Sequence, residues 1–108
     1  MKLDMQSVLQ QAQKVQEEIE RIKAEANIKT VTADSGGGMI TVVMNGANEI
    51  LSIKIAKDVI ALGDQEMLED LIVAAVNKAS KAAQAMVGEE MGKVTNMLPN
   101  IPGLNLNF

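Results

Sequence analysis

Residues 39–55 read Met39-Ile-Thr-Val-Val-Met-Asn-Gly-Ala-Asn-Glu-Ile-Leu-Ser-Ile-Lys-Ile55, and this stretch decides the architecture. Met39 to Met44 is an apolar, β-branched run. Leu51, Ile53 and Ile55 alternate with Ser52 and Lys54, and Asn45-Gly46 between the two runs is the strongest short hairpin signal. Upstream, Thr30 and Thr32 alternate with Val31 and Ala33, followed by Asp34-Ser35-Gly36-Gly37-Gly38. Period-two patterning on both sides of two turn signals predicts three antiparallel strands in a meander. The glycine run is a turn rather than a phosphate cradle, because no Lys-Ser or Lys-Thr follows it and it leads into a strand instead of a helix N-terminus.

Outward from the strands the period becomes helical. Met5, Val8, Ala12, Val15, Ile19, Ile22 and Ala26 recur in alternating steps of three and four, with Gln, Glu, Lys and Arg between them. This is a heptad pattern that makes residues 4–26 a helix, whether it packs on its own domain or as a coiled coil. On the far side, Asp64 is a suitable N-cap with Glu66 in the first turn, and a second helix runs from there to about Met97, before Pro99. Its stripe uses Leu68, Ile72, Ala75, Ala79, Ala82 and Met86, then moves sideways to Ala83, Val87, Met91, Val94 and Leu98. Gly88 and Gly92 cost ~1 kcal/mol each in a helix interior, so either the helix breaks there or small residues admit a close neighbour. The fold class is α+β, helix–three-stranded meander–long helix, with residues 1–97 as one domain and 98–108 as a Pro/Asn-rich tail.

The absent residue types exclude much chemistry. With no Cys and no His among 108 residues there is no disulfide, thiolate nucleophile, imidazole base or N/S zinc site. Nothing calls for a cofactor or a metal. There is no Tyr or Trp and a single Phe, Phe108, so no aromatic platform exists for stacking bases. Carboxylate pairs such as Glu66 with Asp70, or Glu89 with Glu90, are the only material for an enzyme, and helix-start acids explain the first. The net charge of -4 is uneven: residues 1–56 carry six basic and seven acidic groups, residues 57–108 four and seven. The start lacks an apolar signal region, and the longest apolar run, Leu71 to Val76, is far short of the ~20 residues that cross a bilayer. The expected location is the cytoplasm, with no membrane partner.

A 33-residue helix is ~50 Å long and the first helix ~35 Å, whereas a seven-residue strand spans ~23 Å, so both helices overhang the sheet. Rows of Val, Ile and Met on the overhangs need cover, and a second copy about a two-fold axis supplies it. The stripes assigned to that homodimer are Val8, Val15, Ile19, Ile22, Val87, Met91 and Val94. The alternative is a monomer in which the two helices cover each other.

The segment Asp64-Gln-Glu-Met-Leu-Glu-Asp-Leu-Ile-Val-Ala-Ala-Val-Asn-Lys-Ala79 resembles the most recognisable stretch of the YbaB/EbfC family of bacterial nucleoid-associated proteins. The rest agrees in order: Gln10 to Glu18, Ser35 to Gly38, Val42 to Gly46, Ile50 with Ile53-Lys-Ile55, and Met91-Gly92 before a Pro/Gly-rich tail. Ala56 departs from the family, which usually has an acidic residue there. The resemblance implies a tweezer-like homodimer that binds double-stranded DNA without catalysis, associates with the nucleoid and influences its organisation or gene expression. It also suggests an accessory role beside recombination and repair proteins.

In the family, DNA binding is attributed to the protruding first and last helices, which here offer Lys14, Arg21 and Lys23, and Lys78, Lys81 and Lys93. Leu71 to Gly88 holds Lys78 and Lys81 and no acid. Arg21 has Glu17 and Glu25 at four-residue spacing, Lys14 has Glu17 and Glu18, and Lys23 has Glu20. Those spacings alone favour solvated ion pairs; the resemblance favours phosphate contact. A protein-binding adaptor using its exposed apolar stripes is the competing reading.

Overall fold

Local signals set where each element begins and ends, and the computed structural model of the protein describes residues 4–97. The tail 98–108 lies outside the described residues. The Asp4 carboxylate accepts from the Ser7 backbone N–H at 2.7 Å and caps α1 (Met5–Ala26). There follow β1 (Thr30–Ser35), β2 (Ile40–Asn45), β3 (Ile50–Ile55), α2 (Lys57–Leu62) and α3 (Gln65–Met97). Asp64 caps α3 by accepting from the Met67 N–H at 3.1 Å, as its position predicts. The three strands form an antiparallel sheet in the order β1-β2-β3, so the meander holds.

Gly36, Gly37 and Gly38 all have positive φ, between 61° and 95°, in the β1–β2 turn. That backbone is the reason for three consecutive glycines. The β2–β3 connection differs from expectation. Asn45-Gly46 is not a two-residue turn: Asn45 ends β2, the loop spans 46–49, and its left-handed residue is Asn48, with φ 62°. A bulge between Val43 and Met44 shifts the register by one, pairing Val43 with Ser52 but Met44 with Ile50.

One face of the sheet carries the core. Ile40, Val42 and Met44 are at most 2% exposed and pack with Ala33 against Ala75, Ala79 and Ala83 of α3, each wholly buried. Alanine at three positions four residues apart lets the helix axis come close to the larger side chains of β2. The other face presents Thr32, Thr41, Ser52 and Lys54. Because α3 lies over β1 and β2, β3 is uncovered, and Ile50, Leu51 and Ile53 are 45%, 55% and 41% exposed.

The long dimension is 70 Å against 23 and 16 Å, because α1 and α3 run beyond the sheet. In one copy they touch there: Ile22 and Ala26 of α1 meet Met86, Val87 and Glu90 of α3 around a small cavity. Ile22 and Val94, both assigned to an interface between copies, are each 2% exposed within a single chain. They are already covered. Val8, Val15, Ile19, Val87 and Met91 are half-buried. α3 passes Gly88 and Gly92 unbroken, with open space beside both. One element has no counterpart in the sequence pattern: α2, six residues long, buries only Val59 and leaves Ile60 and Leu62 exposed.

Candidate nucleic-acid interface

Cations available to a polyanion are those that are exposed and not already held by carboxylates. On α1, Arg21 does not meet both conditions. Its guanidinium donates to Glu18 at 2.6 Å and to Glu25 at 2.8 Å, and Glu25 also meets Lys29 at 3.4 Å. The pairing with Glu18, and then Glu25, raises the Arg21 pKa, and the hydrogen bond from Arg21 holds Glu25 below its usual carboxylate range. The predicted partner Glu17 is not used.

Lys14 and Lys23 are exposed on the same helix, and neither has a carboxylate within 4 Å among the described residues, although Glu17, Glu18 and Glu20 stand at pairing distance in sequence. On α3, Lys93 is engaged by Glu90 at 3.2 Å. Lys78 and Lys81 are exposed and without an ion pair among the described residues, Lys81 on the side of α3 away from the buried Ala75, Ala79 and Ala83 and Lys78 at the flank of that stripe. The six basic positions therefore split: Lys14, Lys23, Lys78 and Lys81 remain available, and Arg21 and Lys93 are locally compensated. Sequence spacing alone misses Lys54 on the bare sheet face and Lys57 at the start of α2, both exposed and likewise unpaired among the described residues. The signal for Lys54 is the strand register, which puts it beside Thr41 rather than in the core.

No group of three or more His, Cys, Asp or Glu among the described residues is arranged to hold a metal ion. Asp64, Glu66 and Asp70 line one shallow depression with Met67 and Leu71 at the start of α3, ahead of the lysines at its middle.

The arrangement is that of a long, two-armed body with cations on its helices, and the family model described as the YbaB/EbfC DNA-binding family matches residues 1–98. The chain belongs to that family. Among its YbaB/EbfC relatives, a nucleoid-associated protein of Thermoanaerobacter pseudethanolicus is 48% identical over 101 residues, covering 94% of this chain and 90% of that one. A nucleoid-associated protein of Thermodesulfovibrio yellowstonii is 53% identical over 97 residues, covering 90% and 84%. The crystal structure of HP0035, an uncharacterized protein of Helicobacter pylori, superposes with a TM-score of 0.72 at 23% identity, covering 91% of this chain and all of that one. That likeness establishes the shared fold. Among the described residues no helix is long and apolar enough to cross a membrane.

Proposed function

We propose that this YbaB/EbfC protein is a homodimer that binds double-stranded DNA through phosphate contacts, with little sequence preference, and so influences nucleoid organisation or gene expression in the bacterial cytoplasm. The observation that carries the reading is the pair Lys78 and Lys81, exposed and unpaired among the described residues, in a stretch of α3 without acids. Lys14 and Lys23 add to it from α1. No aromatic side chain is present on either helix to stack or wedge between bases, which favours backbone contact over base readout. The dimer is supported by what one chain leaves bare: the half-buried Val8, Val15, Ile19, Val87 and Met91, and the uncovered edge strand β3. An apolar edge strand pairs readily with another chain, and its own second copy is always at hand.

Fluorescence anisotropy with a random 30-mer duplex across a salt series tests the DNA reading. Binding at 50 mM salt that weakens steeply with added salt is expected; no binding at ten micromolar protein would overturn it. Light scattering after size exclusion, expected to give about twice the 11.5 kDa of one chain, tests the dimer. The second reading, an adaptor in recombination or repair, is favoured by the exposed Ile50, Leu51, Ile53, Ile60, Leu62 and Val73. It predicts that substitutions there abolish partner capture while lysine substitutions do not.

A further inference from the structure

Asn45 is the one polar residue in the buried core of the described residues, 3% exposed, and it lies at neither a charge cluster nor a helix. Its side chain is fully used. The Oδ1 atom accepts from the backbone N–H groups of Ala47 and Glu49, both at 3.0 Å, which shapes the loop. The Nδ2 atom donates to Glu49 Oε1 at 2.9 Å and to the Asn27 carbonyl at 3.3 Å, and Asn27 is the residue that ends α1. Next to it, the Gly46 N–H donates to the Ala26 carbonyl at 2.7 Å and to that of Lys29 at 3.1 Å. Gly46 is not a glycine for its φ. A Cβ there would stand 2.9 Å from the Ala26 Cβ and 3.0 Å from its Cα and carbonyl oxygen. The same loop reaches the other arm: Ser80 of α3 donates to Asn48 Oδ1 at 3.4 Å.

One five-residue segment thus grips the last turn of α1 and touches the middle of α3. We propose that Asn45 to Glu49 is the joint that fixes the spread of the two arms, and that it positions their cations for DNA without contacting DNA itself. The second half rests on the DNA-binding reading above. The physical reason is lever length. Residue 13 lies about 20 Å up α1 from Ala26 at 1.5 Å per residue, so a swing of only about 10° moves it roughly 3 Å. Contacts pre-set to the spacing of phosphates lose affinity when that ordering must be supplied on binding.

The test exchanges the two polar side chains. Asn45→Asp with Glu49→Gln leaves the net charge unchanged, keeps acceptors for the two loop N–H groups, and lets the amide now at position 49 donate to the carboxylate now at position 45. The variant has no donor left for the Asn27 carbonyl and sets a carboxylate against it. Because the chain has no cysteine, Gln13→Cys and Ala85→Cys take spin labels cleanly, and dilution with unlabelled protein makes the measured distance intrachain. The exchange should shift the α1–α3 distance by about 3 Å or broaden its distribution comparably. It should weaken duplex binding about five-fold at fixed salt, the size of a typical coupling effect, with an unchanged salt slope because no cation is lost. Gly46→Ala, which pushes on Ala26 instead, should act in the same direction, and a cooperative melt of each variant confirms that it folds. An unchanged distance would overturn the joint. A changed distance with unchanged affinity would overturn its positioning role, whereas wild-type protein that binds no duplex would overturn the DNA reading while the distance still decides the joint.

Discussion

Lys81→Ala isolates the electrostatics. Lys81 is exposed, makes no ion pair among the described residues, and sits one turn from Lys78 on the outer side of α3, away from the alanines that meet the sheet. Its removal should leave stability within about 0.5 kcal/mol of wild type, since no buried contact, cap or network is touched. The effect on DNA is much larger. In a two-fold dimer the substitution removes two cations, and each phosphate neutralised contributes about 0.9 to the slope of log K against log salt, so the slope becomes shallower by up to about 1.8. If affinity extrapolated to 1 M salt is unaltered, the difference accumulates over the decade down to 0.1 M into about 60-fold weaker binding. Lys93→Ala is the internal control, because Glu90 at 3.2 Å already offsets that charge. Anisotropy titrations of a random duplex between 50 and 300 mM salt measure both slopes. An unchanged slope for Lys81→Ala in protein that binds, or an equal loss for Lys93→Ala, would refute the division of the lysines into available and compensated.

Glu18→Gln with Glu25→Gln frees Arg21 from both its partners and should steepen the salt slope by up to about 1.8 per dimer while strengthening binding; unchanged binding would show that α1 does not face DNA at Arg21. Ile53→Lys places a charge on the uncovered inner side of β3, where Ile53 is 41% exposed, and should halve the mass seen by light scattering if β3 belongs to the dimer interface. Ala79→Leu has no room between α3 and the sheet, where Ala79 is wholly buried, and should cost about 1–3 kcal/mol in denaturant unfolding. Acid should loosen α1 first. The Ser7 N–H holds Asp4, and the Arg21 hydrogen bond holds Glu25, below their ordinary values of 3.8 and 4.5. With folded values depressed, their contribution is whole above those ordinary values and is lost as pH falls through the folded ones. Helicity at 222 nm should therefore decline below about pH 4 more steeply in wild type than in Glu25→Gln.

What the sequence discloses about this fold is whatever a single element's period records. The alternation of Val31 and Ala33 with Thr30 and Thr32 maps onto the inner and outer faces of β1, and the last of the three-four steps along α1, Ile22 and Ala26, fall where α1 meets α3. Asp64 caps α3 because capping is local. What escapes is set between elements. Gly46 looks like half of a tight turn, but its small size answers to Ala26, twenty residues away, and only the packed structure shows that. The six-residue α2 is too short for a helical period to stand out. Likewise, spacing permits Lys14 and Lys23 to pair with acids and Arg21 to pair with Glu17, yet Arg21 settles on Glu18 and Glu25, and Lys29 shares Glu25. Spacing defines the possible ion pairs; rotamers select among them.

That selection explains how an acidic protein offers a cationic surface. The net charge of -4 is repulsive toward DNA when viewed from afar, but the acids of α3 are not where Lys78 and Lys81 are. Asp58 lies on α2, Asp64 caps α3, Glu66, Glu69 and Asp70 lie in its first turns, and Lys78 and Lys81 follow Asp70 by eight and eleven residues. At 1.5 Å per residue those separations are about 12 and 16 Å along a rigid helix axis. Both exceed the ~8 Å over which charge acts at physiological ionic strength, so the acidic end does not cancel the field at the lysines. On α1 the cancellation is local instead, with Glu18 and Glu25 neutralising Arg21 by contact. A single uninterrupted helix therefore does two jobs that its average charge conceals: its start repels polyanions, and its middle, backed by a layer of alanines that sets it against the sheet, holds two lysines beyond the reach of that repulsion.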